Sequence, residues 1–461
     1  MALQIPRLVI GGTSSGVGKT TTTIAITRAL RARGLKVALF KCGPDYLDPT
    51  YHSRASGAPS HNIDGWMMGK DAVLSTFARA AEGADVAIAE GVMGLFDGAS
   101  PTSGEGSTAE IAKWLAAPAL LLVDASGMAR SIAAMAQGFS AFDPDLRIAG
   151  VVCNRVGSRG HLDLLRKALH APPILGGFPD EVSARFPERH LGLHSADEST
   201  VPESLLDHWG ALAKEWLALD AILEIARSAP TLPESQHTSS PGATARRVCR
   251  LGLAYDEAFH FYYDDNLRRL ESLGAELVRF SPMRADRLPD VDGLYFGGGY
   301  PEVHAETLAR NEAMRADVAR FVEAGGPIYA ECGGLMYLTN AIRTLDGKRH
   351  SMVGVVPGEA VMCDRLQALG YVEVETQETT PLGPAGLRFR GHQFRYSELR
   401  DLPGDVACVY TVRRRRGGEV AREGYRSRNV IASYVHAHWA SNPRVAEGFV
   451  ASCAARRGET R

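Results

Sequence analysis

The chain has 461 residues, more than one hydrophobic core ordinarily supports, so at least two domains are expected. Basic and acidic residues nearly cancel, 51 against 53, leaving no global field to draw nucleic acid or an anionic membrane. The seven cysteines are scattered and lack Cys-x-x-Cys spacing, which argues against a disulfide framework or structural zinc and fits a reducing, cytoplasmic setting.

Along the first part, short apolar runs alternate with helical patterns. Strands are expected at residues 7–10, 36–41, 86–90, 119–123 and 148–154, and helices at 20–33, 72–81, 108–115, 129–142 and 161–170. Such alternation implies a parallel sheet with helices on both faces. The first strand begins too early to leave room for a signal peptide, and no apolar run approaches the ~18 residues of a membrane span. Around residues 226–247 the pattern dissolves into a Ser-, Pro- and Thr-rich stretch that reads as a linker. It separates an N-terminal domain, 1–225, from a C-terminal one, 248–461. In the second, strands are expected at 250–254, 275–280, 293–296 and 328–330, with helices at 266–273 and 311–324, again α/β. The only dense basic run, Arg413 to Arg416, precedes Gly417-Gly418 and reads as a solvated hairpin tip.

Between the first strand and helix lies GGTSSGVGKTT. Glycines there let backbone N–H groups close around phosphates, and the helix directs its positive end at them. Gly12, Gly16 and Gly18 shape the loop, and Thr13 stands where the usual spacing has glycine. Lys19 is expected to reach the β/γ-phosphates of ATP and Thr20 to bind Mg²⁺, with Thr21 beside them. Acids that could complete a metal and substrate site follow other strands: Asp45 and Asp48 in FKCGPDYLDP, Glu90 ending VAIAE, and Asp97 in GVMGLFDG. Open α/β sheets bind ligands at that edge, although acids at such places also cap helices. Asn154, ending VVCN, is placed either to read an adenine edge or to close a strand in a turn.

A second feature is PIYAECGGLMYL. Cys332 between an apolar run and Gly333-Gly334 suggests a sharp strand-to-helix turn that exposes a thiol. Helix-start N–H groups, including that of Gly333, are expected to lower the thiol pKa and form an oxyanion site. FGGGY, with Gly298 and Gly299, is a second loop able to supply an oxyanion donor. A thiol nucleophile needs a base; His436 and His438 in SYVHAHW are the best placed, and His392 in GHQFRYSE is a weaker alternative.

Together GTSSGVGKTT, FKCGPDYLDP, AEGVMGLFDG, VDASGMARS, GVVCNRVGS, FGGGYPE, AECGGLMYL, GHQFRYSEL and SYVHAHW resemble the cobyrinate a,c-diamide synthase family, from about residue 8 to 445. The resemblance implies two doubly wound domains: a P-loop, dethiobiotin-synthetase-like parallel sheet, then a flavodoxin-like class I glutamine amidotransferase domain. It implies cytoplasmic amidation of two side-chain carboxylates of a cobyrinate-type tetrapyrrole with ATP, Mg²⁺ and glutamine, through acyl phosphates. Lys19 then takes phosphate, Thr20, Asp45 and Glu90 take Mg²⁺, and Asp48 and Asp97 handle the substrate carboxylates. Cys332 becomes the glutaminase nucleophile and His436 its base. Amidotransferases generally carry a glutamate two residues after that histidine; here His438 stands there, which implies a Cys–His dyad with the imidazole fixed by another partner. Because ammonia must be neutral to attack, a protected route from glutamine to the acyl phosphate is also expected. Hydrogenobyrinate and nickel-sirohydrochlorin are alternative substrates of the same chemistry. A partitioning-type P-loop ATPase is the reading from another class, but such proteins usually carry lysine at the place of Ser14 and have no glutaminase half. No nucleic-acid or membrane partner is implied, and a homodimer is compatible with the resemblance.

Overall fold

The computed structural model describes residues 4–184, 186, 201–232 and 246–459. The chain forms two compact units, Met1–Thr238 and Ser239–Arg461. The expected linker falls largely outside the described residues; its first two positions belong to the helix Leu219–Arg227. Among the described residues no helix is long and apolar enough to cross a membrane.

In the first unit, β1 (Arg7–Gly12), β2 (Val37–Cys42), β3 (His61–Ile63), β4 (Val86–Glu90), β5 (Ala119–Asp124), β6 (Ile148–Val156) and β7 (Ile174–Pro179) make one sheet in the order β3-β2-β4-β1-β5-β6-β7. Every pairing in it is parallel. Parallel strands are covered on both faces and so read as near-continuous apolar runs, which is why LVI, VALF and ALLLV stand out. Leu8, Ile10, Ile88, Leu120 and Leu122 pack in one core with Ile24 and Leu30 of the helix Lys19–Arg31 and Trp209 of the helix Glu203–Trp216. Intervening residues such as Val9, Phe40 and Leu121 are fully buried as well.

In the second unit, β8 (Cys249–Ala254), β9 (Ala275–Phe280), β10 (Gly293–Phe296) and β11 (Ile328–Glu331) belong to a doubly wound core. β12 (Thr339–Arg343), β13 (Arg349–Ser351), β14 (Val356–Met362) and β17 (Ser397–Arg400) form a small separate sheet. The main sheet also takes in β15 (Ala368–Thr376), β16 (Arg388–Arg395), β18 (Cys408–Arg414), β19 (Val420–Ser427), β20 (Val430–Ser433) and β21 (His436–His438). Its order is β21-β16-β15-β18-β19-β20-β11-β10-β8-β9, parallel from β20 to β9 and antiparallel through the rest. Successive side chains on a strand point to opposite faces. Leu294, Phe296, Ile328, Ala330, Val430 and Ala432 accordingly enter one core, while Tyr295, Tyr329 and Ile431 enter the other. The basic run lies where expected, at the turn joining β18 to β19.

Candidate active sites

β1 delivers the chain into the glycine-rich loop, and the helix Lys19–Arg31 starts directly after it. Gly18 has φ +98°, and a Cβ there would lie 2.3 Å from Asn154 Nδ2, so both conformation and space require glycine. Gly16 is also left-handed, at φ +76°, and a Cβ on Gly12 would strike Val17 Cγ2 at 2.6 Å. Thr13, just past β1, donates its N–H to the Leu122 carbonyl at 3.0 Å and is not in the left-handed region, so its backbone does not require glycine. Asn154 donates to the Val17 carbonyl at 2.8 Å and so braces the loop. Lys19 Nζ donates to the carbonyls of Ser14 (3.0 Å) and Met93 (2.5 Å). Burial, then the neighbouring Lys41, pulls its pKa down to about 8.

Below the loop lies a buried charge cluster. Thr20 Oγ1 donates to Glu90 Oε1 at 2.8 Å, and Lys41 Nζ reaches the same oxygen at 2.7 Å. Glu90 Oε2 lies 2.5 Å from His52 Nε2, and Lys41 pairs also with Asp48 Oδ2 at 2.6 Å. Burial opposes ionisation of Glu90, but Lys41 and His52 outweigh it and lower its pKa. Burial likewise opposes the charge on Lys41, and Asp48 and Glu90 reverse that effect, raising its pKa. Asp45 Oδ1 accepts the N–H groups of Leu47 and Asp48 at 2.8 and 2.9 Å, the capping role common for an aspartate at a helix start. A cavity of about 820 Å³ is lined by Lys19, Thr20, Asp45, Asp48, Glu90 and Asn154, with Thr21 also on its wall. Asp97 is not in that lining; its Oδ2 accepts the Gly94 N–H at 2.9 Å on the loop after β4. Next to it in the chain, Phe96 packs against Phe139 and Phe142 (ring centroids 5.6 and 4.7 Å), and Phe142 is 73% exposed.

Lys41 and His52 were not singled out by the sequence. Lys41 sits in VALFKC, where a fully buried strand expects an apolar residue, and that irregularity was the available signal. His52 follows Asp48 by four positions on the helix Asp48–Ser56, so the two share a face. Among the described residues no group of three or more His, Cys, Asp or Glu side chains could hold a metal by itself. Thr20 and the cavity acids nevertheless suit Mg²⁺, which usually takes one or two protein oxygens and completes its shell with phosphates and water.

In the second unit Cys332 joins β11 to the helix Gly333–Leu338 at φ +45°. A non-glycine residue held there costs about 1–3 kcal/mol, a strain typical of nucleophile turns. Its N–H donates to the Ser433 carbonyl at 2.7 Å, tying the turn to β20. A Cβ on Gly333 would lie 3.1 Å from Gly299 N, and one on Gly298 would lie 2.4 Å from His436 Cε1. The glycine loop after β10, the cysteine turn and His436 therefore converge. His436 is buried on β21, paired in register with His392, and their rings stack at 4.9 Å. His438 instead packs on the Tyr263 ring at 4.7 Å. Burial lowers His436 to about 3, so the imidazole rests neutral. The expectation of a lowered thiol pKa is not met: burial, reinforced by Glu302, pushes Cys332 up to about 12. At 9% exposure the loss of solvation outweighs the Gly333 N–H, and the thiol rests protonated. Sequence reading also passed over Glu331, whose Oε2 lies 4.0 Å from His436 Nδ1.

Residues 8–193 match a CobQ/CobB/MinD/ParA nucleotide-binding domain, and residues 250–444 match a CobB/CobQ-like glutamine amidotransferase domain. The cobyrinate a,c-diamide synthase of Leptospira interrogans serogroup Icterohaemorrhagiae serovar copenhageni is 54% identical over 98% of this chain and 99% of its own. That of Syntrophotalea carbinolica is 50% identical over 99% of this chain and all of its own. For that of Priestia megaterium the identity is 41%, over 99% of this chain and 98% of its own. With a P-loop nucleotide site in one unit, a strained cysteine in the other, and such similarity across both, the chain belongs to the cobyrinate a,c-diamide synthase family.

Proposed function

We propose that this enzyme amidates the a and c carboxylates of cobyrinate with ATP and glutamine, through acyl phosphates. The observation that carries the reading is the pairing, in one chain, of a phosphate loop walled by buried acids with a strained cysteine turn that packs on the same glycine loop as a buried neutral histidine. A carboxylate is a poor acyl donor because oxide would have to leave; transfer of the γ-phosphoryl group gives it a competent leaving group. Lys19 and the loop N–H groups offset charge on the phosphoryl oxygens. Thr20 and Asp45 would hold Mg²⁺, which supplies further neutralisation of that charge. Glu90, whose oxygens also bond Lys41, Thr20 and His52, would join Thr20 and Asp45 at the metal, and it orients Thr20 as a fixed negative charge. Asp48 and Asp97 are assigned to the substrate carboxylates, and the apolar ring cluster beside Asp97 suits the face of a macrocycle.

In the second unit, His436 takes the Cys332 proton as sulfur attacks the side-chain amide carbon of glutamine. N–H groups of Gly298, Gly299 and Gly333 receive the oxyanion. The C–N bond breaks as His436 returns the proton to the departing nitrogen, and water then releases glutamate from the thioester. Coupling removal of the proton to substrate attack suits a thiol that rests protonated. Ammonia meets the acyl phosphate and phosphate leaves, once for each carboxylate. The balanced charge of the chain supports an enzyme of small molecules with no nucleic-acid partner, its free, scattered cysteines suit a cytoplasmic setting, and a homodimer is compatible with the family. Replacing Cys332 with Ser tests the reading: glutamine-dependent amidation should vanish while amidation with high ammonia persists. Unchanged glutamine use would overturn it.

A further inference from the structure

The histidine that serves Cys332 lacks the glutamate that amidotransferases generally carry two residues later, since His438 stands there and packs on Tyr263. A buried carboxylate nevertheless faces His436 from another direction. Glu331, the residue before the nucleophile, has Oε2 at 4.0 Å from His436 Nδ1, and both side chains are 3% exposed or less. We propose that Glu331 is the carboxylate partner of His436, a positioning residue that fixes the ring and offsets the charge it gains on taking the Cys332 proton. This rests on the glutaminase roles assigned above to Cys332 and His436.

Three bonds hold the carboxylate in place. Tyr295 OH donates to Oε2 at 3.0 Å, Tyr329 OH donates to Oε1 at 2.7 Å, and the Ala437 N–H donates to Oε1 at 3.0 Å. Ala437 is the residue after His436, so the group that faces the ring also pins its backbone. Strand alternation explains how Glu331 gets there. Tyr329 and Glu331 are two apart on β11 and share a face, and the parallel neighbour β10 brings Tyr295 alongside. At 4.0 Å the contact is too long for a hydrogen bond; it becomes an ion pair only when His436 gains the proton, and with both groups buried that attraction is little screened. Burial holds Glu331 up at about 7, which leaves it able to ionise in the neutral range once a cation forms beside it. The nucleophile and its histidine's carboxylate are thus adjacent in sequence, which ties both to one strand end.

The experiment compares Glu331→Gln, Tyr295→Phe and Tyr329→Phe with the parent in glutamine hydrolysis. Peptide-resolved mass spectrometry follows alkylation of Cys332 by iodoacetamide in the same proteins. Charge stabilisation that arises only in the transition state lowers kcat and kcat/KM together and leaves KM alone. Glu331→Gln should lower kcat by about 10²-fold or more at unchanged KM, because losing the carboxylate of a catalytic triad costs up to about 10⁴-fold. Cys332 alkylation should slow in parallel. Each tyrosine variant removes one of the bonds that hold the carboxylate and should lower kcat by about 5- to 10-fold. A kcat within about threefold of the parent, or a loss confined to KM, would overturn the proposal. Should Glu331→Gln fail to fold, the tyrosine variants decide it by the same criterion. Cys332→Ala and His436→Ala are run alongside. If they retain hydrolysis, the glutaminase assignment itself falls; if they lose it while Glu331→Gln does not, only the role of Glu331 falls.

Discussion

Substituting Gly298 by Ala tests the convergence of the glycine loop with His436. The backbone at Gly298 is not left-handed, so alanine is tolerated conformationally and its effect is steric. An ideal Cβ would lie 2.4 Å from His436 Cε1, about 1 Å inside ordinary contact. The imidazole has little room to retreat, with His392 stacked at 4.9 Å and Glu331 4.0 Å from Nδ1. Overpacking of this kind costs about 1–3 kcal/mol of stability, which a domain of this size survives. A displacement of about 1 Å at a catalytic group can cost about 10²-fold in rate. Glutamate release from glutamine should therefore fall by about that factor, while amidation with high ammonia, measured on the same preparation, should stay near the parent value. Glutamine hydrolysis within about threefold of the parent would refute the placement of His436 against this loop.

Replacing Lys19 with Ala removes the cation of the phosphate loop; amidation should be lost with either nitrogen source, and binding of a fluorescent ATP analogue should weaken, while glutamine hydrolysis persists. Glu90→Gln leaves Lys41 with one of its two ion-paired carboxylates and should destabilise the first unit by about 3 kcal/mol, read calorimetrically as a Tm lower by several degrees. An unchanged Tm would mean that the cluster contributes no stability. Introducing Asp at Phe142, an exposed ring of the cluster beside Asp97, should raise KM for the macrocycle about tenfold without altering glutamine hydrolysis. Equal KM in the two proteins would separate that ledge from substrate binding.

Much of the parallel architecture is legible in the chain because fully buried strands are apolar without interruption: residues 7–10, 86–90 and 293–296 all lie within observed strands. The strand Ile174–Pro179 escapes because ILGGFP carries two glycines, which weaken any strand signal. The helix Asp48–Ser56 is hidden by Pro49, which reads as a loop although proline is tolerated in a first turn. The antiparallel half of the second sheet alternates buried and exposed positions irregularly, as in RFRGHQFR, and leaves no clean period. The two candidate sites divide the same way. Lys19, Thr20 and Cys332 lie in motifs whose geometry is local. Lys41, His52 and Glu331 depend on which strand lies beside which, and the thiol pKa depends on burial, so neither follows from local sequence.

Mass spectrometry of the products formed from cobyrinate, hydrogenobyrinate and nickel-sirohydrochlorin, each with ATP, Mg²⁺ and glutamine, is the most direct test of the assigned reaction. Cobyrinate is expected to gain two amide groups, with glutamate and phosphate released for each. Two amides on one of the other macrocycles in place of cobyrinate would move the substrate assignment, and no amide on any of the three would contradict the account.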